Sequence, residues 1–131
     1  MRTFAYKKLV RDKIVEDVIK TGGTVKYKIL KRTSYFIELK RKLLEEAKEL
    51  INVTNLDEML NELADIQEII DNLLAFSGNS KQKLIQAQKS KNQKKGSFKK
   101  MHYIDHVSVA DDSAWADHFL KRPDQYPEIK I

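Results

Sequence analysis

The chain has 131 residues, no cysteine, and 25 basic against 19 acidic side chains, for a net charge of +6. That length suits one domain with an ordinary core, and the missing thiols exclude disulfides, thiolate catalysis and thiolate zinc sites together while fitting a reducing compartment. No apolar run approaches the roughly 20 residues of a membrane span, and the start of the chain lacks the apolar stretch of a signal peptide, so a cytoplasmic protein with no membrane partner is expected.

Val10, Ile14 and Val18 stand at helical spacing and predict a first helix over about 12–21, ended by Gly22-Gly23. This glycine pair is a turn and not a phosphate loop, because it follows a helix and lacks the G-x-x-x-x-G-K-S/T pattern. The period then changes to two: Val25, Tyr27 and Ile29 alternate with Lys26 and Lys28. Met101, Tyr103, Val107 and Val109 alternate again, and the two stretches are expected to pair as a small two-stranded β element. Between them lie three predicted helices, 34–51, 55–76 with Asn55 as N-cap, and 80–94. The short connector Ser77-Gly78-Asn79 predicts that the last two run antiparallel. The biased composition of Lys89 to Lys100 suggests a flexible loop, and Asp111-Asp112-Ser113 should cap a brief C-terminal helix over 114–121 that Pro123 ends. Trp115 and Phe119, one turn apart on it, read as a docking face, with stacking on a nucleobase as the alternative. The expected fold is mainly α: an antiparallel helical bundle in a single domain, 1–131, with the two-stranded element and a short C-terminal helix.

Two of the predicted helices carry acids where leucine belongs. On the first, Leu39, Leu43, Ala47 and Leu50 form the apolar stripe, with Glu46 one turn before Leu50 and Glu49 one turn further on the same flank. On the second, Glu62, Ile66, Ile69 and Leu73 fall in one line, and Asp65 stands beside it, one turn before Ile69. Burying an ionised carboxylate costs several kcal/mol unless cations or donors compensate, so four together call for one shared explanation, and a divalent metal supplies it. Each i, i+3 pair spans about 5 to 6 Å at Cβ, a distance one Mg²⁺ can bridge while keeping open positions for phosphate oxygens and water. Four ionised carboxylates and a triphosphate carry roughly eight negative charges, which favours two or three Mg²⁺ ions together with lysines.

Charge is unevenly distributed. Between Glu45 and Asp71 the chain has nine acids and one base, Lys48; between Lys81 and Lys100 it has eight lysines and no acid. Acids for a metal followed by lysines for phosphates suit a metal-bound polyanion such as a nucleoside triphosphate, although a solvated lysine face is the plainer reading of the lysines alone. His102, His106 and His118 are the only histidines; His102 and His106 would share a strand face, and packing or surface exposure explains them better than a metal.

These acids resemble a known motif. Glu45-Glu46-Ala47-Lys48-Glu49 followed by Glu62-Leu63-Ala64-Asp65 is similar to the EExxE…ExxD signature of MazG-like nucleotide pyrophosphohydrolases. Lys8 to Ile14 (KLVRDKI) and Lys95 to Lys100 (KGSFKK) resemble the flanks of the predicted house-cleaning members labelled phosphoribosyl-ATP pyrophosphohydrolase-like. The resemblance covers about residues 6–107, leaving 108–131 as an extension. It implies a MazG-like helical bundle that assembles as a homodimer or homotetramer, with Mg²⁺ (or Mn²⁺ in its place) held by Glu46, Glu49, Glu62 and Asp65. Glu45 and Glu49 would serve catalysis, Glu45 by orienting or supporting the attacking water, and Lys91, Lys94 and Lys95 would contact phosphate. Arg11 and Asp12 could reach the site or form a local salt-bridge cluster at a helix start. The implied reaction is hydrolysis of a nucleoside triphosphate to the monophosphate and pyrophosphate. The chain departs from the pattern with Lys94-Lys95 in place of an arginine before the glycine, which loses a bidentate phosphate fork, and with Val15 in place of a proline. Two other functions are compatible with the residues: phosphoribosyl-ATP hydrolysis, which differs only in substrate, and a non-enzymatic basic nucleic-acid binder, against which the acids on apolar stripes argue. The base pocket would draw on Phe4, Tyr6, Tyr35, Phe36 or Trp115.

Overall fold

The computed structural model describes residues 1–131 and is built from five helices: α1 (Ile14–Lys20), α2 (Arg32–Asn52), α3 (Leu56–Ser77), α4 (Lys81–Lys95) and α5 (Ala114–Leu120). The chain divides into two units, Met1–Gln93 and Lys94–Ile131. No helix is long and apolar enough to cross a membrane.

The core of the first unit is the α2–α3 pair. The Asn55 side chain caps α3 by accepting from the Glu58 amide at 2.8 Å, which satisfies one of the orphan donors of the first turn. Because only Val53, Thr54 and Asn55 separate the helices, they must fold back on each other. Their end contacts fix the antiparallel sense: at one end Arg32, at the start of α2, donates to the Phe76 carbonyl at 2.6 Å and lies 4.0 Å over the Phe76 ring. Phe36 packs on the same ring at 4.6 Å between centroids. Leu39 and Ile69, only 3% and 7% exposed, are buried on α2 and α3 and line one cleft, and Glu46 lies further along, seven residues and therefore two turns beyond Leu39 on the same face.

Helices α1 and α3 end the same way at glycine. After α1 the Gly23 amide donates to the Val18 carbonyl and Gly22 to Ile19, and after α3 Asn79 donates to Leu74 and Gly78 to Ala75. These are Schellman closures, with Gly22 (φ +89°) and Gly78 (φ +71°) in the left-handed region that a side chain resists. A Cβ on Gly23 would also meet Val18 Cγ1 at 2.6 Å.

Three expectations are corrected. The two-stranded β element is absent: neither the 25–29 nor the 101–109 stretch forms a strand. Alternation specifies a strand only where one face has something to bury against, and Ile29 and Tyr103 are each more than 90% exposed. The helix expected over 80–94 forms as α4 and displaces the loop suggested for Lys89 to Lys100 as far as Lys95, because lysine and glutamine are good helix formers even without a core to face. Helix α4 does follow α3 after a short turn, but it packs along no other helix and every one of its residues is exposed. Its apolar residues, Leu84, Ile85 and Ala87, are too few and too clustered to draw it onto α3.

In the second unit the Ser113 hydroxyl caps α5 by accepting from the Ala116 amide at 3.1 Å. Trp115 and Phe119 stack at 5.7 Å, and Tyr126 closes on Phe119 at 4.9 Å.

Candidate metal centre and adjoining cleft

Helix α2 presents Lys42, Glu45, Glu46 and Glu49 at i, i+3, i+4 and i+7, and α3 presents Glu62 and Asp65 opposite them. Glu46 is the pivot. It is 6% exposed, in the place of a core leucine, and it belongs to two carboxylate groups: with Glu45 and Glu49 on its own helix, and with Glu62 and Asp65 across the interface. In each group one oxygen per residue lies within 4.8 Å of the others. An octahedral ion with ligands at about 2.1 Å sets opposite oxygens about 4.2 Å apart, so a small contraction would close either group on a cation. The four proposed ligands are thus brought together, with Glu46 buried, Glu62 and Asp65 half-buried and Glu49 exposed.

The polar balance of the cluster is incomplete. Glu46 Oε2 and Glu62 Oε2 are buried and have no hydrogen-bond donor. Burial, the close approach of the Glu62 carboxyl, and the charges of Glu49 and Asp65 push Glu46 up to about 7. Lys42, whose Nζ is 3.9 Å from Glu46 Oε1, does not offset this. The unmet acceptors, the crowded charge and the all-oxygen donor set fit a hard divalent cation such as Mg²⁺.

The surrounding cations bind the outer acids. Burial alone would raise Glu45, but the hydrogen bond from Lys8 Nζ at 3.1 Å and the charge and hydrogen bond of Lys42 Nζ at 3.4 Å outweigh it and hold Glu45 below the usual carboxylate range. Arg11 Nη2 reaches Asp65 Oδ1 at 2.6 Å. Arg11 therefore does arrive at the acids, and the reading of a purely local Arg11-Asp12-Lys13 cluster gives way.

A cleft of ≈ 520 Å³ opens directly from the acids. The segment before α1 contributes Leu9, Val10, Arg11 and Asp12, α2 contributes Tyr35, Leu39, Lys42 and Glu46, and α3 contributes Asp65, Glu68, Ile69 and Asn72. One end is therefore carboxylate, the floor is the Leu39–Ile69 core, and the other end is polar. There the Tyr35 hydroxyl donates to Asn72 Oδ1 at 3.4 Å, and Asn72 Nδ2 donates to Glu68 Oε1 at 3.2 Å. Of the five aromatic residues expected near a base pocket, Tyr35 lines this cleft. Helix α4 carries Lys91, exposed and outside the cleft lining, while Lys94 and Lys95 belong to the second unit.

Lys8, Lys42, Glu68 and Asn72 are polar site residues that the acid motif did not name. Lys42 was within reach of sequence reasoning, since it precedes Glu45 and Glu46 by three and four residues on one helix face. Lys8 and Asn72 depend on tertiary approach, across 37 residues to Glu45 and to Tyr35 respectively. No family model, curated protein or solved structure matches this chain.

Proposed function

We propose that the protein is a Mg²⁺-dependent nucleotide pyrophosphohydrolase of the MazG-like kind, converting a nucleoside triphosphate to the monophosphate and pyrophosphate. The observation that carries this reading is the buried, donorless pair of oxygens on Glu46 and Glu62, set within a five-carboxylate cluster at the end of a nucleoside-sized cleft. Glu46, Glu49, Glu62 and Asp65 would hold the metal, Glu46 shared between the two groups. When bound, Mg²⁺ supplies positive charge for the phosphate oxygens and acidifies a water. Glu45, kept ionised by Lys42, accepts a hydrogen bond from the attacking water and orients it toward the α-phosphorus. The Leu39–Ile69 floor excludes solvent beneath the sugar, and Tyr35, Glu68 and Asn72 offer hydrogen bonds to the base edge. A phosphoribosyl-ATP substrate would use the same end-to-end arrangement.

A screen of standard and modified nucleotides with Mg²⁺, reading pyrophosphate against phosphate release, is expected to find pyrophosphate. A second reading draws on α4, whose lysines are displayed on a helix that buries nothing: nucleic-acid binding by that face. Replacing Lys91, Lys94 and Lys95 together by glutamine decides between them. With these lysines outside the cleft lining, the enzyme reading expects nucleotide turnover to persist and RNA binding to stay weak at physiological salt. The binding reading expects the slope of log affinity against log salt to flatten by roughly 2 to 3. Submicromolar RNA affinity at about 150 mM salt, with no pyrophosphate from any nucleotide, would end the enzyme reading.

A second copy of the chain is part of the proposal. Leu39, Ile69 and Glu46 are the only buried residues of the first unit, a small core for two helices of 21 and 22 residues. Each helix carries a second apolar stripe facing away from that core. Ile37, Leu44 and Ile51 repeat every seven residues on α2, and Leu56, Leu60 and Leu63 follow heptad spacing on α3, all of them exposed. Two such hairpins packed stripe to stripe would form a four-helix bundle and bury both seams. Light scattering at tens of micromolar is expected to give a dimer or larger; a monomer would contradict it.

A further inference from the structure

Two cations from the first 13 residues rest on the acid cluster, and both come from far away in the chain: Lys8 on Glu45 at 3.1 Å and Arg11 on Asp65 at 2.6 Å. Building on the metal-centre reading above, we propose that Lys8 and Arg11 are phosphate-binding side chains that occupy Glu45 and Asp65 only until a divalent cation takes the acids, and then turn to the phosphates of the bound nucleotide.

The Arg11 carbonyl accepts from the Ile14 amide at 3.1 Å, opening α1, and Leu9 and Val10 are half-buried, so the backbone is anchored beside the cleft. The side chains are not: Lys8 and Arg11 are 52% and 59% exposed, and such exposed ion pairs are weakly held. Asp65 cannot serve both partners equally. A dication at Glu46, Glu62 and Asp65 draws the Asp65 lone pairs and repels the guanidinium at close range. Released, Arg11 presents a planar fork of donors suited to phosphate oxygens, and Lys8 a compact charge. Both would sit at the carboxylate end of the cleft, where the phosphates of a nucleotide have to lie if its metal is on the acids.

The proposal predicts effects of opposite sign, which a merely structural ion pair would not give. Mn²⁺ binding is followed by electron paramagnetic resonance, and pyrophosphate binding to the Mn²⁺-loaded protein by calorimetry. Arg11→Gln should tighten Mn²⁺ several-fold, because a competing cation is gone, and weaken pyrophosphate roughly tenfold, the scale of one charged hydrogen bond. Lys8→Gln, on an exposed residue with no packing role, should move both affinities in the same directions by less, and Arg11→Lys should recover part of the pyrophosphate affinity. If Arg11→Gln and Lys8→Gln leave both affinities unchanged, or weaken both, while wild type binds Mn²⁺ well, the proposal is overturned and the metal centre stands. Failure of wild type to bind Mn²⁺ at millimolar concentration overturns the metal centre and this proposal together.

Discussion

Glu46→Gln, Glu49→Gln and Asp65→Asn are each expected to lower Mg²⁺-dependent pyrophosphate release by on the order of 10³-fold, with the helical content unchanged. Each removes one ligand charge and no volume, and a catalytic metal contributes several kcal/mol of transition-state stabilisation, with every 1.36 kcal/mol worth a factor of ten. The three should differ in stability, which separates site chemistry from folding damage. Glu46→Gln replaces a buried carboxylate by a group that can donate to Glu62 Oε2, so the metal-free variant should melt above wild type at pH 8. Asp65→Asn gives up the exposed Arg11 pair and should change by less than about 1 kcal/mol. Glu49 is exposed, and its replacement should be close to neutral. Saturating Mg²⁺ should stabilise wild type more than any of them. Full activity in Glu49→Gln and Asp65→Asn together would remove these residues from the metal centre.

The four acids are legible in the sequence because a helix has a fixed period. Glu46 at two turns from Leu39, and Glu62 in line with Ile66 and Ile69, had to face the neighbouring helix, and in the structure they do. The same reasoning placed all five helices to within two residues and found two of the capping side chains, Asn55 and Ser113, since caps follow from short-range hydrogen bonding. It failed where a signal depends on a partner. Alternation at Val25, Tyr27 and Ile29 is a statement about two faces, and with no neighbouring strand and nothing to cover Ile29 it yields extended coil. Helix α4 forms where the helix over 80–94 was expected, held by local propensity without any packing, and what fails there is the flexible loop that its lysine-rich end suggested.

The cleft was less legible than the acids, for the same reason. Tyr35 could be suspected as one aromatic among five, but its role depends on Asn72, 37 residues away, whose Oδ1 accepts its hydroxyl. Nothing local distinguishes Asn72 from a solvated asparagine. Likewise, a lysine-rich stretch catches the eye as a phosphate site, whereas the cations found on the acids are three dispersed residues, Lys8, Arg11 and Lys42. Charge runs report solvent exposure, and single charges brought in by folding report a site.

The pH dependence of stability should expose Glu46 directly. In the folded, metal-free protein its carboxyl is pushed up to about 7 from an ordinary 4.5. The sign follows from proton counting: between pH 4.5 and 7 the folded state keeps a proton that the unfolded chain has lost, so stability falls as pH rises through that window and levels off above it. At 1.36 kcal/mol per pKa unit the full swing is roughly 3 kcal/mol. Other carboxylates run the other way, Glu45 among them, because Lys8 and Lys42 hold its pKa low and its contribution is lost on acidification. The comparison that isolates Glu46 is therefore the difference between wild type and Glu46→Gln, measured by urea unfolding from pH 5 to 8 with a chelator present. The two should coincide near pH 5, and the variant should pull ahead as pH rises toward 8. Mg²⁺ should reverse the ranking at pH 8, since cation binding requires the ionised carboxylate and releases its proton. Parallel curves for the two proteins across that range would mean that Glu46 carries no shifted proton and that the acids are not crowded in solution.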